Sequence, residues 1–159
     1  MLTLSYTIEQ NGSNIYIPEK KMKPEELMRK AYNAAKGAYA PYSDFRVGAA
    51  LLLKDGSVIT GANIENRSLG LSNCAERTAV FTAVADGKAA EIEAIAIASP
   101  DTEEPLSPCG ACRQVISEFC PPEMPVYYDD GQSGYISSSV GELLPADALH
   151  SLSEKIKHN

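Results

Sequence analysis

Three of the four cysteines fall at the start of two predicted helices, and this placement constrains the fold more than any other feature of the chain. The segment Asn73-Cys74-Ala75-Glu76-Arg77-Thr78 opens a helical run that continues through Ala79, Val80, Ala83 and Val84 to Asp86 and is closed by Gly87. The segment Ser107-Pro108-Cys109-Gly110-Ala111-Cys112-Arg113-Gln114 opens a second run that ends at Phe119. A helix N-terminus carries unpaired N–H groups and the positive end of the dipole, and both favour the thiolate, the form of cysteine that binds metal. Cys109 and Cys112 offer two sulfurs from one turn, and Cys74 offers a third from the other helix. Three thiolates that leave the fourth tetrahedral position free form the ligand layout of a catalytic zinc rather than a structural one.

A Cys-x-x-Cys pair by itself fits a redox couple or half of a structural zinc site equally well. Cys74-Ala75-Glu76 ahead of it and Pro108 before Cys109 favour the catalytic reading. The fourth cysteine, Cys120, lies at the far end of the second helix, roughly 12 Å from Cys112 at 1.5 Å per residue, and reads as a small buried apolar residue. Glu76 stands on the opening turn of the helix that Cys74 begins. From there it reaches a water at the open position without ligating the metal, and can move a proton from that water to a substrate nitrogen. Three thiolates around a dication leave an excess negative charge, which Arg77 and the two helix dipoles offset in part.

Around this centre the pattern alternates strands and helices. Leu2, Leu4, Tyr6 and Ile8 alternate before Asn11-Gly12, with Ile15-Tyr16-Ile17 after it, a hairpin signal. Lys23-Pro24-Glu25-Glu26 opens a helix with Leu27, Ala31, Ala34, Ala35 and Ala38 on one face, ending before Pro41. Residues 47–53 and 57–62 read as strands joined by Lys54-Asp55-Gly56, followed by a strand over 92–98 and strand-like segments at 125–128 and 135–136. The tail beyond Glu142 reads as two short helical pieces split by Pro145. Strands alternating with helices predict an α/β layered fold. Its sheet should be mixed, antiparallel at the tight turn and parallel where helices connect strands.

With 159 residues the chain fits one domain. Fourteen Lys and Arg stand against 21 Asp and Glu, a formal charge of −7, which argues against nucleic acid as a partner. The only histidines, His150 and His158, lie in the last ten residues, so a Ser-His-Asp triad is not expected. No apolar run approaches the roughly 20 residues of a membrane helix, and the N-terminus has neither a basic region nor a continuous apolar one. A cytoplasmic, reduced setting is expected, in which cysteines serve metal or catalysis rather than disulfides.

At Cys74-Ala75-Glu76 and Pro108-Cys109-x-x-Cys112 the sequence resembles the zinc-dependent deaminases in their three-cysteine form. More widely it is similar to the short, homotetrameric cytidine deaminases. The likeness takes in Ala40-Pro41-Tyr42-Ser43, Phe45-Arg46-Val47-Gly48-Ala49-Ala50, Asn63-Ile64-Glu65-Asn66 and Glu142-Leu143-Leu144-Pro145. The resemblance implies a three-layer α/β/α fold with a mixed, about five-stranded sheet, residues 1–22 forming an N-terminal extension and 23–159 the catalytic domain. It implies one zinc per subunit on Cys74, Cys109 and Cys112, with Glu76 as proton shuttle. Asn63 and Glu65 would hold the ribose 3′-hydroxyl and Phe45 would line the nucleoside pocket. The backbone at Ala75 and Ser107 would read the pyrimidine edge and receive the leaving amine, with Arg77 behind the sulfurs.

The reaction implied is attack of zinc-bound hydroxide on C4 of cytidine or deoxycytidine, releasing ammonia and leaving uridine or deoxyuridine, in pyrimidine salvage. Leu69 stands where the family commonly has an aromatic, and Ala148 where it usually has a phenylalanine, three residues past Pro145. Both belong to the part of the pocket that neighbouring subunits complete. They leave open a relative that acts on modified or N4-substituted cytosine nucleosides, such as a nucleoside antibiotic. A zinc module used only for assembly would have no use for Glu76.

Overall fold

The structure, a computed structural model, describes residues 22–149 together with the pairs Thr7–Ile8 and Asn14–Ile15. These pairs form a short antiparallel ladder, β1 and β2, with Thr7 opposite Ile15. The rest of the expected N-terminal hairpin, the tail from residue 150 on and both histidines lie outside the described residues, and residues 146–149, where the second helical piece of the tail is expected to begin, form turns rather than helix.

Pro24 opens helix α1 (Pro24–Ala35), where its missing N–H costs nothing and its fixed φ suits the first turn. Glu26 reaches back to the backbone N–H of Lys23 at the cap. Leu27, Met28, Ala31 and Ala35 are buried. The helix ends earlier than the pattern suggests, so Ala38 lies past its end and Ala34 is only half-buried.

The main sheet has five strands in the order β4-β3-β5-β6-β7, with β3 at Gly48–Leu53, β4 at Val58–Ala62, β5 at Ile92–Ala98, β6 at Pro125–Asp129 and β7 at Tyr135–Ser139. β3 and β4 form the expected antiparallel hairpin, and Gly56 takes the positive φ of its turn, 78°. β5 and β6, joined through helix α3 (Gly110–Phe119), are parallel neighbours. β4 and β5, joined through helix α2 (Ala75–Ala85), share a direction but are not neighbours. β3 lies between them, antiparallel to both. The last two strands are each longer than the sequence suggests and pair antiparallel.

Alternation along β3 and β5 divides the core into two layers. Ala49, Leu51, Leu53, Ile95 and Ile97 face α2 and α3, packing with Ala79, Val80, Ala83 and Ile116. Ala50, Leu52, Ala94, Ala96 and Ala98 face α1, packing with Leu27, Met28 and Ala31. The mixed α/β three-layer architecture expected from the sequence is thus present. Cys120 is buried in the first of these clusters, as its reading as an apolar residue requires. Val84, part of the apolar spacing that marks α2, is exposed together with Phe81.

The position of α2 depends on Gly61. A Cβ there would stand 2.5 Å from the backbone N of Ala79 and 2.6 Å from the carbonyl of Ala75, so only hydrogen lets α2 lie this close to β4. That close packing sets where the first turn of α2 meets the sheet.

Candidate functional site

The two cysteine-bearing segments meet where α2 and α3 begin. Cys74 is the N-cap of α2 and Cys109 the N-cap of α3, both extended, at φ −77°, ψ 157° and φ −66°, ψ 163°. Neither side chain caps its own helix, which leaves the sulfurs to turn towards one another. Cys112, on the first turn of α3, is buried. Cys74 Sγ lies 4.0 Å from Cys109 Sγ, and Cys109 Sγ lies 3.5 Å from Cys112 Sγ. All three sulfurs fall within 4.8 Å of one another. Sulfurs around a tetrahedral zinc, at about 2.3 Å from the metal, stand about 3.8 Å apart. The donor set therefore fits zinc in number, softness and spacing, and Cys120 takes no part in it.

Three thiols this close cannot all ionise without a cation between them. The Cys112 thiol and the Arg77 guanidinium favour negative charge on Cys74 and hold it down, to about 5, against its partial burial. Cys112 is correspondingly pushed up, by the Cys74 thiolate beside it and by burial. Arg77 Nη2 donates to Cys74 Sγ at 3.3 Å. Its Nε is buried and finds no partner among the described residues.

Glu76, the second residue of α2, is 5% exposed. Burial pushes its carboxyl above the usual range, and the neighbouring Cys74 thiolate adds to the effect. Glu76 lines a cavity of about 490 Å³ together with Cys74, Cys109, Ala75 and Ser107, and with the apolar side chains of Phe45, Val47, Ile97 and Leu106. Asn63 and Glu65 lie in the same lining, so the substrate-side residues singled out in the sequence converge with Cys74, Cys109 and Glu76 on one space, while Cys112 and Arg77 stand behind its wall and do not line it.

Asn63 shapes that space as well as lining it. Its Oδ1 accepts from the Val47 N–H at 2.8 Å and its Nδ2 donates to the Phe45 carbonyl at 2.9 Å, which pins the segment carrying Phe45. Glu65 accepts from the N–H groups of Tyr42 and Ser43 at 2.9 and 3.4 Å and from the Ser43 hydroxyl at 2.5 Å. The Ser43 hydroxyl, followed by these backbone donors, holds the Glu65 carboxyl below its usual range, so it is an ionised acceptor. Ser43, the last residue of the family-like segment Ala40-Pro41-Tyr42-Ser43, thus has a local task that spacing along the chain does not reveal. Leu69 and Ala148 are exposed and lie outside the cavity lining.

Residues 21–128 match the family model described as the cytidine and deoxycytidylate deaminase zinc-binding region. A cytidine deaminase of Halalkalibacterium halodurans is 54% identical over 124 residues, which is 78% of this chain and 92% of the relative. The crystal structure of cytidine deaminase from Burkholderia pseudomallei superposes with a TM-score of 0.74 at 48% identity, covering 79% of this chain and 98% of that one. A blasticidin-S deaminase of Bacillus cereus is more distant, 30% identical over 105 residues, 62% of this chain and 74% of its own length.

Proposed function

The chain belongs to the cytidine and deoxycytidylate deaminase zinc-binding family, and from that premise we propose that it hydrolyses the 4-amino group of cytidine and deoxycytidine, with Glu76 moving the proton. One observation carries the reading: a buried carboxylate opens into the same cavity as the converging cysteines, with Asn63 and Glu65 in the same wall. A zinc ion held by Cys74, Cys109 and Cys112 would supply Lewis-acid activation of water at its open position.

Glu76 takes a proton from the attacking water and passes it to the ring nitrogen beside C4, then takes the proton of the new C4 hydroxyl and delivers it to the amino group, which leaves as ammonia as the C–N bond breaks and the C4 carbonyl forms. Burial favours the protonated carboxyl, which suits a group that must give the proton back. Asn63 and the ionised Glu65 hold the ribose 3′-hydroxyl, and Phe45 packs against the nucleoside. The backbone at Ala75 and Ser107 meets the pyrimidine edge and the leaving amine. Arg77, 3.3 Å from the Cys74 sulfur, offsets part of the negative charge of three thiolates. A pocket of this size with a sugar-hydroxyl site suits a free nucleoside, and the formal charge of −7 does not suit a polynucleotide.

In this reading residues 23–159 are the catalytic domain and 1–22 an extension to it, at work in cytoplasmic pyrimidine salvage. The purified protein should release ammonia from cytidine and deoxycytidine with kcat/KM above that for N4-substituted cytidines. No release from either plain nucleoside would overturn the substrate assignment, and a preference for the substituted ones would redirect it towards the antibiotic-type relatives.

Assembly completes the proposal. Leu69 and Leu71 are 73% and 72% exposed on the turn leading to Ser72 and Asn73 of the cavity wall, an apolar surface that suits a neighbouring copy. A homotetramer of 222 symmetry is the expected state. Light scattering at assay concentration checks it, and a fully active monomer would refute it.

A further inference from the structure

We propose that Arg113 is a positioning residue that ties the C-terminal segment to the pocket wall and, through the Ser107 hydroxyl and the Pro108 carbonyl, holds the Ser107–Pro108 segment in the orientation the substrate's amino group meets; this rests on the role given to Ser107 above. Arg113 follows Cys112 on α3 and is half-buried. Each nitrogen of its guanidinium makes a different hydrogen bond. Nε donates to the Pro108 carbonyl at 2.7 Å, Nη2 to the Ser107 hydroxyl at 3.2 Å, and Nη1 to the Leu143 carbonyl at 3.1 Å. Its backbone N–H donates to the Cys109 carbonyl at 3.0 Å. One residue therefore gathers acceptors from 107, 108 and 109 and from the end of the short helix α4 (Val140–Leu143).

Proline creates the need for this grip. Pro108 has no N–H, so the loop has no backbone donor at this position to anchor it. Pro108 is fully buried while Ser107 and Cys109 on either side are exposed. Upstream, the Leu106 N–H is fixed to the Asp129 carbonyl at 2.9 Å, and downstream α3 begins at Gly110. Between these anchors the guanidinium grips both Ser107 and Pro108.

Its third arm reaches a carbonyl that the last turn of α4 leaves without an intrahelical partner. The path of residues 144–149 thus starts from a point tethered to the pocket wall. A lysine cannot replace this arrangement, because an ammonium is a point charge and lacks the planar fork that meets three acceptors at once.

The test compares Arg113→Lys and Arg113→Met in the full-length, zinc-loaded protein. Both should keep one zinc per chain, while kcat/KM for cytidine falls about 10–100-fold, mainly through KM, with Lys giving no rescue. Deuterium exchange of the amides of residues 141–146 should quicken in both. Ser107→Ala should raise KM in the wild-type background but add nothing on top of Arg113→Met, because the partner of that hydroxyl is already gone. Wild-type kcat/KM in Arg113→Lys, unchanged exchange at 141–146, or additive effects of the two substitutions would each overturn the proposal. Should the wild-type protein prove inactive on cytidine, the proposed function falls, and exchange at 141–146 alone then decides for or against the tether.

Discussion

Glu76→Gln is expected to bind zinc at the wild-type level and to lose deamination by at least about 10²–10⁴-fold. Glutamine keeps the volume of the side chain on the first turn of α2 but cannot accept a proton. The other carboxylate in the cavity lining, Glu65, is held by the Ser43 hydroxyl and two backbone N–H groups and is not positioned to replace it. Stability should move the other way. The folded protein buries the Glu76 carboxyl at 5% exposure, and burial raises its pKa, so the ionised form is the costly one near neutral pH. Replacing it with a neutral amide should leave the melting temperature unchanged or raise it. Kinetics, metal analysis and a melting curve on the same preparation check all three, and wild-type turnover by the zinc-loaded variant would sink the assignment.

Loss of the metal should have the other large effect, on activity and stability together. Stripping the protein with a chelator should bring turnover to the uncatalysed background and lower the melting temperature, since a ligand that binds only the folded state stabilises it. Zinc added back should restore both. Cys112→Ser should reproduce the stripped protein without rescue by stoichiometric zinc. Cys112 is fully buried, so its hydroxyl analogue has no solvent-facing alternative conformation. Full activity in the stripped protein would exclude the three-cysteine site from the chemistry. Cys120→Ser, by contrast, should keep zinc and activity, because Cys120 packs in the core outside the metal cluster.

The local order of the fold was legible because burial writes itself into the sequence at short range. The apolar run at 47–53 and the one at 92–98 became β3 and β5, and Gly56 marked the turn where a positive φ was needed. Element ends were less legible, because they depend on what packs nearby. The apolar pattern of α1 runs on to Ala38, yet the helix stops at Ala35. β7 runs to Ser139, through serines that carry no strand signal, because β6 offers it a ladder from Pro125 to Asp129. Val84 fits the apolar spacing of α2 and is nevertheless exposed, since spacing tells which residues share a face and not whether that face is covered.

The sequence by itself determined the chemistry of the donors: sulfur at two helix starts, a carboxylate on the opening turn of the first, and a proline before the second pair. Those are properties of residue type and of spacing within a few positions. The tertiary structure alone decided that β3 lies between β4 and β5, that a missing Cβ at Gly61 lets α2 close on the sheet, and that the three sulfurs stand within 4.8 Å. It also decided that Ser43 holds Glu65 and that Arg113 joins the Ser107 loop to Leu143. These contacts join residues 22 to 35 positions apart, or are made by the far ends of flexible side chains. No local periodicity encodes them, because only packing of the whole chain brings such groups within hydrogen-bonding or metal-binding distance.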